Sequence, residues 1–544
     1  MVINTLKDLA QQSVEKYTTK VAFSMLNGEQ VTYNEFKERM LQVQDLLQNA
    51  GLNAGDKVAL LSSNMPNWSV CYFAVVSAGL TVVPILPDFS GAELDMIIQH
   101  SEAKAILVSD KLYTRLSKET LSTLNVVIRT KNLSVISQNV HAKGTFAEPK
   151  PEDIAAIIYT SGTTSKPKGV MLSHYNLVKQ VGVCNSLFLM NEDDVCLSVL
   201  PLSHTYECSL GMILPFSRGG QSVYLDRPPT ASVLMPALKK VRPTIMLIVP
   251  LLIEKIFRSQ VQAKFNSTAF LRTIGKVRFI RNIFYGIAGK SLMRVFGGRI
   301  RFLGIGGAKL DYNTEEFLHV AKFPYAIGYG LTETAPVLAG AVPGNTRLGS
   351  TGPMAEGLKV RLENINPETN QGEVVVSTPC AMVGYYKNPE ATKEVFTEDG
   401  WFRTGDLGEI DKDGFIYIKG RLKNMILGPS GENIYPEEIE GVLNSHAYIS
   451  DSVVTEKEGR LIALVYFNAD EMNTLYQEWR DGLREEWESR MSEWESLKES
   501  KMKEIRDYVN SKVNRFSRIS EVVEQKEEFV KTPTHKIKRF LYKK

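Results

Sequence analysis

The chain has 544 residues, of which 43% are hydrophobic and 23% charged, and its formal net charge is +3. A chain of this length exceeds what one hydrophobic core usually organises, so we expect two or more domains. The small net charge argues against a nucleic-acid-binding protein and against a strongly basic membrane binder. The five cysteines are scattered and form no Cys-x-x-Cys pair, which argues against a disulfide framework or structural zinc. The first residues lack the apolar core of a secretory signal, so we expect a cytoplasmic protein.

One apolar stretch has two interpretations. Residues 58–87 contain no charged residue, and the part at 68–86 is long enough to span a bilayer. However, Gly79 and Pro84 interrupt it, and several serines and asparagines dilute it. We therefore predict a core helix followed by a short buried strand at 81–86.

Up to about residue 420, apolar β-branched runs alternate with amphipathic segments, for example at 57–61, 104–108 and 244–249. This alternation predicts an α/β domain with mainly parallel sheets, in several subdomains, over residues 1–420. Residues 421–544 have the pattern of a smaller α+β domain whose central strand is predicted at 461–466. The boundary follows from the position of the motifs described below, because no low-complexity linker separates the two parts.

The segment at 470–506 carries apolar residues at the spacing of one helix face. They are Leu475, Trp479, Leu483, Trp487, Met491, Trp494 and Leu497. We predict a long helical insertion that lies against the protein's own surface; a homodimer contact and a peripheral helix at the inner membrane face are the alternatives. Its acidic bias argues against adhesion to anionic lipid.

Residues 158–170, IYTSGTTSKPKGV, form a loop dense in hydroxyls, glycines and lysines. Small residues let backbone N–H groups approach phosphate oxygens, hydroxyls donate hydrogen bonds, and ammonium groups balance the charge, so the pattern predicts a polyphosphate site. It is not a Walker loop, because the Gly-x-x-x-x-Gly-Lys-Ser/Thr pattern is absent.

This stretch resembles the phosphate-loop signature of the adenylate-forming superfamily, which includes acyl-CoA synthetases, adenylation domains and luciferases. The other motifs of that family follow in order over nearly the whole chain, and their wording is most similar to long-chain fatty-acid–CoA ligases. The resemblance implies that the loop binds ATP through Thr160, Ser161, Gly162, Thr163, Thr164 and Lys168.

Two glycine-containing motifs resemble the nucleotide pocket of the family. Residues 304–309, GIGGAK, are similar to its adenine-side strand and turn, which implies that Gly307 and Ala308 contact ATP. Residues 328–334, GYGLTET, hold an aromatic ring between two glycines, so Tyr329 can lie flat against a purine beside Gly330. Thr332 offers a hydroxyl to the α-phosphate, and Glu333 supplies the hard oxygen that Mg²⁺ prefers.

The acyl pocket is the least specific part of the resemblance. The stretch at 200–207, LPLSHTYE, is similar to the helix entry that borders this pocket in the family. His204 is thus expected to line the pocket, with Gly306 and Gly328; a satisfied core histidine is the alternative. No acidic residue stands between Pro201 and Glu207, where an amino-acid-activating relative would hold an ammonium group.

Motifs near and after residue 400 resemble those that complete the site in the family. Asp406, in GWFRTGDLG, is implied to accept the ribose hydroxyls, and Arg421 to reach the nucleotide. Lys423 falls at the domain hinge, although Asn424 stands where the family often has an acid. Gly431 and Glu432 match the loop that faces the site during thioester formation and would lie beside CoA.

The last motif, KTPTHKIKR at 531–539, resembles the family's terminal catalytic-lysine motif. Lys536 matches the lysine that stabilises negative charge as the carboxylate attacks the α-phosphate. A disordered basic tail is the alternative for this segment.

Together these motifs imply a ligase with a mobile C-terminal domain that uses Mg²⁺, ATP and CoA and activates a carboxylic acid, most simply a medium- or long-chain fatty acid. Lys536, Thr332, Glu333 and Arg421 are the expected catalytic residues. An aryl-acid–CoA ligase and an acyl–carrier-protein synthetase are alternatives within the class. A nucleotide- or lipid-binding relative without turnover is an alternative outside it.

Overall fold

The computed structural model describes residues 3–160, 167–262, 277–428, 433–469, 472–473, 475–476, 491–532 and 536–542. In chain order the strands are β1 (Val21–Met25), β2 (Gln30–Thr32), β3 (Lys57–Leu61), β4 (Thr81–Pro84), β5 (Ala103–Val108), β6 (Val126–Arg129), β7 (Val135–Gln138), β8 (Ile154–Thr160), β9 (Lys168–Ser173), β10 (Val195–Ser198), β11 (Gln221–Tyr224), β12 (Ile245–Ile248), β13 (Phe302–Ile305), β14 (Tyr325–Gly330), β15 (Val337–Gly340), β16 (Lys359–Asn366), β17 (Gln371–Ser377), β18 (Gly384–Tyr385), β19 (Phe402–Ile410), β20 (Ile416–Arg421), β21 (Ile426–Leu427), β22 (Asn433–Ile434), β23 (Ile449–Lys457), β24 (Arg460–Phe467) and β25 (Glu521–Glu524).

The α-helices are α1 (Leu6–Tyr17), α2 (Tyr33–Asn49), α3 (Pro66–Ser77), α4 (Gly91–Ser101), α5 (Asp110–Tyr113), α6 (Lys118–Thr123), α7 (His174–Leu187), α8 (Leu214–Ser217), α9 (Ala231–Val241), α10 (Pro250–Phe257), α11 (Arg278–Val295), α12 (Tyr312–Val320), α13 (Pro389–Glu394), α14 (Pro436–Asn444) and α15 (Met491–Asn510). Short π-helices cover Glu207–Ile213 and Arg258–Gln262, and 3₁₀ turns cover Thr332–Thr334, Leu422–Asn424, Arg515–Ser517 and Arg539–Leu541. Several helices begin at a capping box; Thr32, for example, accepts from the Glu35 N–H while the Glu35 carboxylate accepts from the Thr32 N–H.

Two eight-stranded sheets dominate residues up to 385. The first has the order β15-β14-β13-β12-β10-β11-β1-β2 and the second the order β18-β9-β8-β4-β3-β5-β6-β7. In both sheets the inner strands pair in parallel, and antiparallel pairs occur only towards the ends, for example β14 with β15 and β6 with β7. This arrangement confirms the predicted α/β class with mainly parallel sheets.

Helix α3 packs between the two large sheets, in contact with β1 of the first and with β3 and β4 of the second. Every residue of α3 is buried, and strand β4 follows at once. The prediction of a core helix and a buried strand in this apolar stretch is therefore confirmed. Within the described parts of the chain, no helix combines the length and apolar character that a bilayer crossing needs.

A third sheet, β16-β17-β19-β20, is antiparallel throughout and ends the larger part of the chain at Arg421. After it come the β21-β22 hairpin and a three-stranded sheet in which β24 lies between β23 and β25. Helices α14 and α15 pack on this last sheet. The predicted central strand is therefore confirmed, and β20 continues one residue past the predicted boundary at 420.

The predicted insertion at 470–506 is described only in part. Helix α15 covers its last turns and continues to Asn510, where Ile505 and Val509 are buried in the core of the small α+β unit. Residues 470–471, 474 and 477–490, with Trp479, Leu483 and Trp487, lie outside the described residues. The dimer and membrane interpretations of this segment therefore stay predictions.

Candidate active site

The glycine motifs lie at the carboxyl ends of two neighbouring parallel strands, the edge where open α/β sheets bind ligands. Strand β13 pairs with β14 through Gly304 with Ala326 and Ile305 with Ile327. The turn after β13 contains Gly306, Gly307 and Ala308, and β14 ends in Gly328, Tyr329 and Gly330. The structure therefore brings the two motifs side by side.

At two of these positions the backbone conformation or the available space requires glycine. Gly307 has φ +86°, in the left-handed region that favours glycine. A Cβ added at Gly330 would lie 1.8 Å from the Pro336 carbonyl oxygen, so only glycine lets the two segments approach so closely. Thr332 begins the 3₁₀ turn that follows, and its carbonyl accepts from the Ala335 N–H.

Asp406 is buried and is held by two donors from different elements. The Tyr329 hydroxyl donates to its Oδ2 at 2.7 Å, and Nε of Arg421 lies 2.7 Å from its Oδ1. Arg421 is brought there by the pairing of β19 with β20, in which Asp406 is the direct partner of Arg421. Burial raises the pKa of Asp406, whereas the Arg421 charge and the Tyr329 hydrogen bond oppose that rise. A carboxylate has about four acceptor sites, so this one keeps the capacity to accept ribose hydroxyls.

Glu333 has a partner that the sequence analysis missed. The hydroxyl of Tyr385 donates to Oε1 of Glu333 at 2.9 Å, and the Lys168 ammonium lies 4.8 Å from the centroid of the Tyr385 ring. Tyr385 belongs to β18, which pairs with β9 at Val170, so the contact follows from sheet topology. In the sequence, the only indication of this contact is the pair Tyr385-Tyr386 that follows Gly384.

The phosphate loop is described only at its two ends. Strands β8 and β9 pair as a hairpin in which Thr160 is opposite Lys168. Ser161, Gly162, Thr163 and Thr164 lie outside the described residues, as do Gly431 and Glu432 of the predicted CoA loop. Their predicted roles stay predictions.

Glu333, Asp406 and Arg421 border a cleft, and Lys536, near the far end of the chain, lies within reach of their charges. Its carbonyl accepts from the Thr532 N–H at 2.7 Å, and its own N–H donates to the Thr532 hydroxyl at 3.1 Å. The side chain is exposed within the cleft. Desolvation by the surrounding protein and the Arg421 charge lower the pKa of Lys536, and the charges of Asp406 and Glu333 oppose this effect.

The cleft holds more positive than negative charge. Lys423, in the 3₁₀ turn after β20, has its pKa lowered first by burial and then by Arg421 and Lys168. Four cations (Lys168, Arg421, Lys423 and Lys536) therefore act in one field with three carboxylates (Glu333, Asp406 and Glu437), an excess of one positive charge. Such an excess suits a polyphosphate.

The donor set also fits a magnesium ion bound together with phosphates. Among the described residues, no three acidic, histidine or cysteine side chains cluster closely enough to hold a metal by themselves. Mg²⁺ usually binds through one or two carboxylates together with substrate phosphates and water. In the described part of the chain only one oxygen of Glu333 accepts a hydrogen bond, which leaves the other for such an ion.

His204 is half-buried in the segment between β10 and the first π-helix, where the Lys536 charge acts on it. Its Nδ1 accepts from the Tyr206 N–H at 3.2 Å, so in the neutral ring Nε2 carries the proton. Burial and the Lys536 charge lower the pKa of His204 to about 4. His204 is therefore an uncharged ring at neutral pH.

Tyr206, which the sequence analysis did not single out, lies beside the predicted acyl-pocket glycines. A Cβ added at Gly306 would lie 3.2 Å from Cζ of Tyr206, and one at Gly304 would lie 2.9 Å from its hydroxyl oxygen. At Gly328 the nearest atom would be the Ala339 carbonyl oxygen, at 3.9 Å. Tyr206 thus limits the space beside Gly306, whereas Gly328 faces no side chain at that distance.

Glu207, at the start of the first π-helix, is 0% exposed. Burial raises the pKa of Glu207 to about 8, so the carboxyl group is protonated at neutral pH. Gly211 accommodates it, since an added Cβ there would lie 2.6 Å from Oε1 of Glu207. A neutral buried acid is not a counter-ion for a substrate ammonium.

Comparisons with known proteins agree with this geometry. The family described as AMP-binding enzyme matches residues 10–386. The chain is 30% identical over 540 residues to long chain acyl-CoA synthetase 1 of Arabidopsis thaliana, covering 87% of this chain and 80% of the relative. It is 28% identical over an alignment of 564 residues to a chloroplastic long-chain-fatty-acid–[acyl-carrier-protein] ligase of the same plant, covering 85% and 76%.

Among solved structures, o-succinylbenzoate CoA synthetase of Bacillus subtilis in complex with ATP and magnesium superposes with a TM-score of 0.75 at 20% identity. The superposition covers 98% of each chain and shows that the two proteins share a fold. The family match extends over most of the chain, and the alignment with the Arabidopsis acyl-CoA synthetase covers four fifths of that relative. The chain therefore belongs to the AMP-binding enzyme family, within the adenylate-forming superfamily.

Proposed function

We propose that the protein is an AMP-forming acid–CoA ligase that activates a medium- or long-chain fatty acid through an acyl-adenylate. The observation that carries the proposal is the convergence of Lys536, Arg421, Asp406 and Glu333 in one cleft with excess positive charge. These four side chains come from the third sheet, the 3₁₀ turn after β14 and the end of the chain. Residues that formed only a surface ion pair would not need to come together from three distant parts of the chain.

In the first step the substrate carboxylate attacks the α-phosphorus of ATP, the bond to the β-phosphate oxygen breaks, and pyrophosphate leaves. The Lys536 ammonium stabilises the negative charge that develops at the α-phosphate and the attacking oxygen. Asp406, oriented by Tyr329 and Arg421, holds the ribose. Thr332 offers its hydroxyl to the α-phosphate, and Lys168 balances charge on the leaving phosphates.

Glu333 would hold Mg²⁺ together with phosphate oxygens, and Tyr385 would orient the Glu333 carboxylate for this role. The ion, when bound, neutralises phosphate charge and so favours departure of pyrophosphate.

In the second step the thiolate of CoA attacks the acyl carbonyl of the mixed anhydride, and AMP leaves. We propose that residues 421–544 rotate about Lys423 between the steps, which would withdraw Lys536 and bring the loop with Gly431 and Glu432 to the site. The backbone after β20 supports a hinge there, because a single 3₁₀ turn separates the third sheet from the β21-β22 hairpin.

The fatty acid is the preferred substrate for two reasons. The two sequence relatives are both named for long-chain acyl substrates. His204 and Glu207 are uncharged at neutral pH, so the region near Gly306 offers an ammonium-bearing substrate no counter-ion from these two side chains. All five cysteines are buried and free, which supports our proposal of a cytoplasmic location.

A second candidate acceptor is the thiol of an acyl carrier protein, since one relative is named as a ligase that uses it. The two acceptors predict the same adenylation step and differ only in the thiol that restores turnover.

The test is AMP release and thioester formation from Mg-ATP with acids from acetate to oleate, with either CoA or an acyl carrier protein. We expect maximal activity at medium or long chains with CoA. Lys536→Ala should abolish adenylation but leave CoA-dependent turnover of preformed acyl-AMP, whereas the matched control Lys538→Ala should retain both steps. Nucleotide binding without AMP release for any acid would contradict the proposal and favour a non-catalytic relative.

A further inference from the structure

Helix α11 presents a stripe of apolar side chains to solvent. Phe279, Ile283 and Ile287 recur every four residues and are 75%, 51% and 61% exposed. Residues four apart lie on the same face of an α-helix, so the three side chains form one continuous stripe. Lys290 and Arg294, both exposed, continue it towards the end of the helix.

The orientation of the helix is held by its opposite face. Tyr285, Gly289 and Leu292 are buried there, and a Cβ added at Gly289 would lie 2.5 Å from Cβ of Ala321, just after α12. Arg281 adds an ion pair of 2.9 Å with Glu316. The apolar stripe therefore cannot turn inward without unpacking the helix.

Helix α11 is basic, although the whole protein is nearly neutral. It contains four lysines and arginines and no aspartate or glutamate, whereas the whole chain has 64 basic and 61 acidic residues. Three cations on α11, namely Arg278, Lys290 and Arg294, are exposed. On the opposite face, Glu316 of α12 is paired with Arg281.

We propose that the stripe on α11 docks the protein on an anionic lipid surface, with Phe279, Ile283 and Ile287 among the acyl chains and Lys290 and Arg294 at the headgroups. An interfacial helix needs an apolar face flanked by cations, and this surface has both. The charge pattern disfavours a second copy of the chain as the occupant, since the exposed cations of α11 in each copy would face those of the other without an acidic residue on either helix.

This inference goes beyond the proposed function and does not depend on it, because binding to lipid requires no turnover. It also differs from the membrane interpretation of the 470–506 segment, whose acidic bias is unfavourable to anionic lipid. Each basic residue near an anionic surface contributes about a fivefold factor in partitioning. Buried apolar side chains add to this affinity in proportion to their area.

The test is sedimentation of the full chain with vesicles of phosphatidylcholine alone or of phosphatidylcholine with phosphatidylglycerol, without ATP. We expect binding to the anionic vesicles that weakens at high salt, and little binding to the neutral ones. The double variant Phe279→Ser and Ile283→Ser should bind about tenfold or more weakly, since it removes two inserted side chains. Lys290→Gln combined with Arg294→Gln should lower binding by about fivefold for each cation.

Two controls match these changes. Leu189→Ser removes a side chain that is 74% exposed but lies outside α11, and Lys412→Gln removes an exposed cation on the third sheet. Both should bind like wild type, and all variants should retain adenylation in solution. The proposal fails if wild type does not bind anionic vesicles, if the α11 variants bind as well as the controls do, or if sedimentation velocity shows a dimer that only the α11 variants dissociate.

Discussion

The Tyr385 hydroxyl donates a 2.9 Å hydrogen bond to Oε1 of Glu333, across 52 residues of sequence, from strand β18 of the second sheet to the 3₁₀ turn between β14 and β15 of the first. The bond orients the carboxylate that we propose as a magnesium ligand. Outer hydrogen bonds of this kind commonly tune metal ligands.

Replacing Tyr385 with phenylalanine should weaken the use of Mg-ATP while leaving the fold intact. A hydrogen bond to a charged group contributes about 1.5–3 kcal/mol, so we expect roughly a 10- to 100-fold rise in the magnesium concentration that half-saturates AMP release. Tyr386→Phe is the matched control, because the Tyr386 hydroxyl donates to Glu102 at the surface. Equal magnesium dependence in the two variants would contradict the role given to Tyr385.

Removing the charge of Asp406 should impair nucleotide binding more than it impairs folding. Asp406→Asn removes the carboxylate that we propose accepts the ribose hydroxyls, and it leaves Arg421, whose side chain is 35% exposed and can reach water, without its ion-pair partner. We expect kcat/KM for ATP to fall by two orders of magnitude or more, measured by AMP release at saturating acid. Arg347→Gln breaks ion pairs with Asp411 and Asp413 nearer the surface and should change kcat/KM little. A similar loss in both variants would indicate a general electrostatic effect.

Tyr206 should limit the length of the acyl chain, because its ring lies against Gly306 and its hydroxyl near Gly304. Tyr206→Ala should open space beside Gly306, move the preferred acid to a longer chain, and lower kcat/KM for the acid that wild type prefers. The shift would be measured by AMP release across a series of saturated acids. Tyr206→Phe keeps the ring and should keep the wild-type preference; an unchanged preference in the alanine variant would exclude Tyr206 from the acyl pocket.

Glu207 should make the stability of the protein depend on pH. Its folded pKa, about 8, lies above the ordinary value of 4.5, so the folded state binds the proton more tightly than the unfolded state does. The favourable contribution of the protonated carboxyl is thus complete below pH 4.5 and is lost as pH rises towards 8. The loss approaches about 1.4 kcal/mol per pH unit across that window.

Glu207→Gln removes this titration. Relative to wild type, its Tm should therefore rise between pH 5 and pH 8, as measured by thermal unfolding at several pH values across that window. Glu368→Gln, at an exposed turn between β16 and β17, is the control and should follow the wild-type curve. A Tm difference between Glu207→Gln and wild type that does not change with pH would show that Glu207 is not protonated in the folded protein.

Much of the fold followed from hydrophobic patterning. The strands predicted at 57–61, 104–108 and 461–466 match β3, β5 and β24 within one residue at each end. For β3 and β5 the prediction succeeds because burial on both faces of a parallel sheet demands continuous apolar runs, whereas β24 alternates buried and half-buried residues. The net charge was less informative: the value of +3 for the whole chain argued against a basic membrane binder, yet α11 carries four basic residues and no acidic one. Net charge averages over a surface, whereas docking depends on one face.

The sequence by itself determined the adenylate-forming family and the chemical character of the motifs, because each motif is a local run whose residue types suit a phosphate, a purine or a metal. Only the tertiary structure decided which residues meet. Tyr385 reaches Glu333 because β18 pairs with β9, and Tyr206 reaches Gly306 because the first π-helix packs on the first sheet. The exposure of the α11 stripe likewise depends on which face of that helix α12 covers. These contacts join residues far apart in the chain, and long-range packing, rather than local propensity, selects them.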